Sequence, residues 1–202
     1  MEKKYTVDWF SNNIPVWNSV FQKYGLIGTH FLNFLEIGCF EGRATNYLLE
    51  DVLTGNDCKI HVVDTFGGSA NETGMNWDAS YEFNSLYDTF CHNISNHKDR
   101  VIIHRGESRN VLKKDFKDGA FDFVYIDGSH TAPDVLEDAI LMHPLLKVGG
   151  LVIFDDFGWK DPNNLDPTNS PEMAVNFFYG AYRLKYDVVF QGYQVGLVKK
   201  AN

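Results

Sequence analysis

Apolar residues in this chain gather into short runs, and between the runs they recur every third or fourth position. The runs are NFLEIG (33–38), KIHVVD (59–64), RVIIHR (100–105), FDFVYID (121–127), GLVIFDD (150–156), YDVVFQ (186–191) and YQVGLVK (193–199). Such lengths and compositions predict seven strands. ATNYLLEDVL (44–53) and APDVLEDAILMHPLL (132–146) carry apolar residues at helical spacing, and PEMAVNFFYGAYRLK (171–185) has the early proline that helix starts favour. Apolar strands alternating with helices predict an α/β fold, a parallel sheet with helices on both faces. The last two strands are parted by almost nothing, so they must close as an antiparallel hairpin. Upstream, VDWFSNNIPVWNSVFQKYG (7–25) reads as an amphipathic helix within an N-terminal segment 1–30, with Trp9 and Trp17 as anchors to the core. GGSANETGMNWDASYEF (67–83) is polar and glycine-bearing, and reads as the start of a lid-like insertion spanning 67–97.

Length and composition narrow this picture. With 202 residues the chain suits one domain, 1–202, around a single core. The net charge of -9 and the absence of a basic cluster argue against nucleic acid or an anionic membrane surface as partner. No apolar run reaches the roughly 20 residues of a membrane span. Cys39, Cys58 and Cys91 are odd in number and lack a CxxC spacing, which argues against a disulfide framework or zinc and for a reducing, cytoplasmic setting.

The candidate chemistry lies where strands end. LEIGCFEGRA places Glu36, Gly38 and Gly42 in an ExGxxxG turn between the first strand and the first helix, where backbone can approach a ligand and helix amides lack partners. In open α/β sheets this crevice binds ligands. Dinucleotide sites need GxGxxG, and Phe40 stands where its second glycine would be, so the turn suits a ligand without a pyrophosphate. Asp64 ends the second strand, where a carboxylate can accept ribose hydroxyls. The bland alternatives are a plain strand-to-helix turn and a helix cap.

These two motifs, the strand order they sit in and the closing hairpin resemble class I S-adenosylmethionine-dependent methyltransferases. The resemblance implies a Rossmann-like sheet of seven strands. It implies that Glu36, Gly38, Cys39, Phe40 and Gly42 hold the amino acid and ribose of S-adenosylmethionine, with Asp64, Thr65 and Phe66 at the ribose. Gly106, Glu107 and Ser108 would lie near the adenine.

FVYIDGSHTAPD and GLVIFDDFGW then resemble the metal-dependent small-molecule O-methyltransferases, the catechol, caffeoyl-coenzyme A and macrolide-sugar groups. That resemblance implies neighbouring fourth and fifth strands and a divalent cation, Mg²⁺ or Mn²⁺, on Asp127, Asp155 and Asp156, with Asp127 also beside the cofactor. Carboxylates so close raise one another's pKa, and a hard cation relieves the repulsion. Catechol-type members carry Asp-Asn and a lysine where this chain has Asp155-Asp156 and His130, a departure closer to the sugar branch, with His130 as general base. A hydroxyl on a small molecule, preferably a sugar or glycoside, is the expected acceptor, and a homo-oligomer is compatible with it. Phe66, Trp77 and Trp159 are candidate pocket walls, and the other six histidines read as structural.

Other functions stay in view. A cofactor-binding module without catalysis is one, and a catechol-type phenol methyltransferase is another. IDGSH in place of an N/D-P-P-Y/F box disfavours a nucleic-acid methylase, and Phe40 disfavours a nicotinamide oxidoreductase.

Overall fold

The computed structural model describes residues 2–68, 85–114, 116–161 and 164–202. Seven strands form one sheet: β1 (Asn33–Ile37), β2 (Lys59–Asp64), β3 (Val101–Arg105), β4 (Phe121–Ile126), β5 (Leu146–Phe154), β6 (Tyr186–Gln191) and β7 (Val195–Lys199). Their order is β3-β2-β1-β4-β5-β7-β6. The first five are parallel, and β7 runs antiparallel to both β5 and β6. The expected sheet and closing hairpin are both present.

Six α-helices accompany the sheet among the described residues: α1 (Ile14–Lys23), α2 (Arg43–Tyr47), α3 (Leu86–Asn93), α4 (Ser108–Val111), α5 (Ala132–Leu145) and α6 (Pro171–Tyr182). Two differences from the sequence reading have local causes. β5 begins at Leu146 because α5 passes into it without a loop, so Leu146 to Gly149 lie inside a strand and not before it. The helix expected over 44–53 is α-helical only to Tyr47 and continues as a π-turn, Leu48–Val52. The lid-like stretch 67–97 contains α3, whose Leu86 and Phe90 are buried, while 69–84 fall outside the described residues. None of the described helices is long and apolar enough to cross a membrane.

Alternation along the central strands splits the core into two apolar layers. Phe123, Tyr125, Leu151 and Ile153 face the layer that holds α1, while Val124, Ile126, Val152 and Phe154 face the layer holding α5 and α6. Trp17 of α1 is fully buried and packs its ring against Phe21, Phe123 and Tyr125, with centroids 5.5, 5.7 and 4.7 Å away. Its indole Nε1 donates to Gln194 Oε1 at 2.7 Å, tying α1 to the hairpin. Trp9 differs from the expected core anchor: it is 61% exposed, because it precedes α1 and lies at the rim of a cavity.

Trp17→Ala removes a large buried ring and leaves the Gln194 oxygen without its donor. The expected cost is about 3–5 kcal/mol, and urea unfolding followed by far-ultraviolet circular dichroism measures it.

Candidate active site

Backbone bonds carry the strand alignment past the strand ends. Gly38 N donates to Val63 O at 2.9 Å, Asp127 N to Ile37 O at 2.8 Å, Asp155 N to Ile126 O at 2.9 Å and Gly106 N to Asp64 O at 2.9 Å. Five strand tips therefore open onto one cavity of about 1270 Å³. Gly38 is the tightest point. A Cβ there would sit 2.0 Å from the Asp127 carbonyl oxygen, and its φ of +80° is left-handed, so only glycine fits.

The glycine turn is held from both sides. Asp64 Oδ2 accepts the amides of Cys39 (2.8 Å) and Phe40 (3.2 Å), and Oδ1 accepts that of Phe66 at 2.6 Å. A carboxylate has about four acceptor positions, so Asp64 has one left for a ribose hydroxyl. Its main visible task is to lock the turn of β1 to the tip of β2. Phe40 and Phe66 take left-handed φ values of 47° and 54°, backbone strain that these amide bonds stabilise. Phe66 is not the wall expected of it: its ring is buried against Tyr87 and Phe90, since the turn points it into the core. Gly42 likewise lies behind the cavity, with the Phe90 ring 2.9 Å from where its Cβ would be. Cys39, Thr65, Glu107 and Ser108 do line it.

Glu36 sits on β1, buried, with Oε2 accepting the Thr45 hydroxyl at 2.6 Å and Oε1 unpartnered. Burial pushes its carboxyl up to about 8, with the nearby Asp64 charge adding to the effect. A buried acceptor turned into a cavity is a place for a ligand cation or N–H donor.

Across the cavity the tips of β4 and β5 bring Asp127, Asp155 and Asp156 together, as expected. Desolvation and then Asp155 and Asp156 push the Asp127 carboxyl well above its ordinary value, and desolvation and Asp156 raise Asp155 to about 6. Asp127 is no helix cap. The start of α5 is served by Asp134, which accepts the Ser129 and Thr131 hydroxyls at 3.0 Å each. Each acid has a protein partner. Tyr125 donates its hydroxyl to Asp155, Asp156 N donates to Asp155 Oδ1 at 2.7 Å, and Tyr193 lines the same cavity, where burial and then the charge of Asp156 push its phenol well up. His130 Nε2 lies 2.6 Å from Asp156 Oδ2, and its ring lies 4.9 Å from that of Trp159, a wall residue as expected. Asp156 is held at a left-handed φ of 53°, which aims its carboxylate at the imidazole. Among the described residues, no three His, Cys, Asp or Glu side chains are grouped as a ready metal site. Trp77 lies outside the described residues.

Tyr125, Tyr193 and Gln194 were missed in the sequence. Tyr125 was legible, because it precedes Asp127 by two on a strand and so shares its face. Tyr193 and Gln194 were not, since nothing local tells that the hairpin turn folds back over the β5 tip. Among the other histidines, His61 and His104 pair on adjacent strands with nitrogens 2.9 Å apart and do not line this cavity.

A family model described as a methyltransferase domain matches residues 35–157, from the glycine turn through the acidic pair. The chain belongs to this family. No curated protein matches it. Among solved structures, an O-methyltransferase from Bacillus cereus in complex with S-adenosylhomocysteine has a TM-score of 0.63 at 17% identity, over 96% of this chain and 84% of that one. TomG of Streptomyces achromogenes, an O-methyltransferase of tomaymycin synthesis in complex with S-adenosylmethionine, scores 0.60 at 17% identity over 93% and 80%. MycE of the mycinamycin pathway, in complex with Mg and S-adenosylhomocysteine, scores 0.59 at 14% identity over 96% of this chain and 51% of its own. This methyltransferase domain therefore has the class I fold, and its motifs fall within the matched segment.

Glu36 makes the free methyltransferase pH-sensitive. Its folded pKa of about 8 lies above the ordinary 4.5, so the folded state holds a proton that the unfolded chain releases. Its contribution is full below about pH 4.5 and is lost as pH rises through 8. Glu36→Gln removes that slope. Thermal melts should show the variant more stable than the parent at pH 9, by about 2–4 °C per kcal/mol, with the gap closing toward pH 5.

Proposed function

We propose that this methyltransferase moves the methyl group of S-adenosylmethionine to a hydroxyl of a small molecule, a sugar or glycoside in preference to a catechol, with a divalent cation and with His130 as base. The observation that carries the reading is His130 hydrogen-bonded to Asp156 within the same cavity as the glycine turn and the acids at the β4 and β5 tips. Glu36 and the turn from Gly38 to Phe40 would take the amino-acid end of the cofactor, and Glu107 and Ser108 the adenine side.

The acceptor oxygen must reach the methyl carbon in line with the carbon–sulfur bond. The oxygen–carbon bond forms as the carbon–sulfur bond breaks, S-adenosylhomocysteine leaves, and the hydroxyl proton goes to the protein. Asp156 bound to Nε2 places the imidazole proton there and makes Nδ1 the basic nitrogen, the same logic by which a buried aspartate orients a catalytic histidine elsewhere. Asp156 also stabilises the imidazolium that results. Trp159 packs beside the imidazole and limits its rotation.

The donor types would suit a hard cation: Asp127, Asp155 and Asp156 border one cavity and the first two have raised pKa values, while their carboxylates are not grouped as a ready site without the ion. Asp127, Asp155 and Asp156 would hold it, exchanging the Tyr125 bond for the ion. When bound, such an ion lowers the pKa of an acceptor hydroxyl, which an aliphatic alcohol needs more than a phenol does. The structurally similar MycE in complex with Mg supports this reading.

Radiolabelled methyl transfer to a panel of glycosides and catechols tests the function. EDTA should stop transfer, and added Mg²⁺ or Mn²⁺ should restore it. Asp155→Ala should lose Mn²⁺ binding, read by electron paramagnetic resonance. His130→Ala should lower turnover about 10²–10⁴-fold while calorimetric affinity for S-adenosylhomocysteine stays within twofold. A His130→Ala rate equal to the parent's removes the base, and activity indifferent to EDTA removes the cation.

A further inference from the structure

Residues 2–9, before α1, are half-buried to exposed, the kind of terminus that ordinarily frays. Here they are tied down on the glycine turn. Lys4 N donates to Asn93 Oδ1 at 2.6 Å, and Asn93 Nδ2 returns bonds to Lys4 O (2.7 Å) and Glu41 O (2.8 Å). Thr6 donates its amide and its hydroxyl to the two oxygens of Glu41, at 2.8 and 2.9 Å. Asn46 bonds the Tyr5 hydroxyl at 2.9 Å. The Arg43 guanidinium lies 4.1 Å from the Tyr5 ring and also reaches Val7 O at 3.2 Å and Asp8 at 3.4 Å.

The docking partners make this more than a tether. Glu41 lies between Phe40 and Gly42 in the turn itself and is only 2% exposed, so the two Thr6 hydrogen bonds satisfy a carboxylate that water barely reaches. Arg43 opens the helix that the turn feeds. Past these anchors the chain carries Val7, Asp8 and Trp9 along the cavity rim, where Trp9 stands 5.4 Å from the Phe40 ring. Trp9 thus puts an aromatic ring on the lining of the cavity, beside the turn, while 61% exposed.

We propose that residues 4–9 form a strap belonging to the cofactor site: Trp9 covers the ligand held by the glycine turn, and ligand binding is coupled to strap docking through Glu41 and Arg43. The proposal rests on the reading of that turn as the S-adenosylmethionine site. Coupling of this kind is reciprocal, so the ligand tightens the strap as much as the strap tightens the ligand.

S-adenosylhomocysteine is the probe, used on the full chain. In calorimetry Trp9→Ala should bind it about tenfold more weakly, and Trp9→Phe should stay within threefold of the parent. The melting temperature of ligand-free Trp9→Ala should lie within about 2 °C of the parent's, because an exposed side chain adds little to the fold. In the parent, the ligand should slow hydrogen exchange at the Thr6 amide. Affinity of Trp9→Ala within twofold of the parent's overturns the proposal, as does Thr6 exchange indifferent to the ligand or an affinity loss matched by a large drop in melting temperature. Failure of the parent itself to bind S-adenosylhomocysteine is a separate result, and it overturns the cofactor reading first.

Discussion

Close contact between the tips of β1 and β4 is the constraint on which the site depends. Gly38 has only a hydrogen where the Asp127 carbonyl approaches, and Asp127 N donates to Ile37 O at 2.8 Å. That contact puts the glycine turn and the acidic turn on one crevice. Any side chain at position 38 must push the two turns apart, and the turn's other bonds would go with them, since Asp64 reaches Cys39 and Phe40 only while β1 and β2 end level. The glycine-turn half and the acidic half of the cavity are thus two sides of one backbone register.

The register concentrates negative charge. Glu36, Asp64, Asp127, Asp155 and Asp156 all border the cavity, and among the described residues Arg43 and Arg109 are the arginine or lysine side chains that line it with them. The fold manages the charge by three means. Glu36 keeps a proton at neutral pH, Asp64 spends its oxygens on backbone amides, and the acids at β4 and β5 lean on Tyr125 and His130. Under the proposed function, an ammonium beside Glu36 or a metal ion among the aspartates would offset the cost of burying these carboxyls.

Much of this was legible in the sequence because it depends on local pattern. β2 and β6 fall where their apolar runs fall, and Asp127, His130, Asp155 and Asp156 gather because parallel neighbours end level. The family resemblance supplied the strand order, which periodicity alone does not. What escaped depends on contacts remote in sequence. Phe66 follows Asp64 by two residues but turns into the core, since the Asp64 bond to its amide fixes a left-handed backbone there. Trp9 and Trp17 look alike as aromatics flanking one amphipathic segment, yet one is fully buried and the other lines a cavity rim. Only the start of α1 separates them, and helix ends are the least certain feature of a sequence.

The bond from Trp17 to Gln194 spans 177 residues and shows how the remote parts of the site are kept in place. An indole N–H can only donate, so it settles the Gln194 amide with its oxygen toward α1 and its nitrogen turned away. That nitrogen is buried without a hydrogen-bond partner, but it lies near enough to Asp155 to help draw the carboxyl's pKa down against the larger effect of burial. Next along the hairpin, Tyr193 O accepts Gly158 N at 3.0 Å, and a Cβ on Gly158 would press on the Tyr193 ring at the same distance. Two contacts thus hold the hairpin turn over the β5 tip, one from the first helix and one from the loop after the acidic pair. The parallel strands alone can align the acids. It takes the antiparallel hairpin, pinned by a residue near the N-terminus, to bring a tyrosine and an amide against them, and this gives the seventh strand a chemical role as well as a structural one.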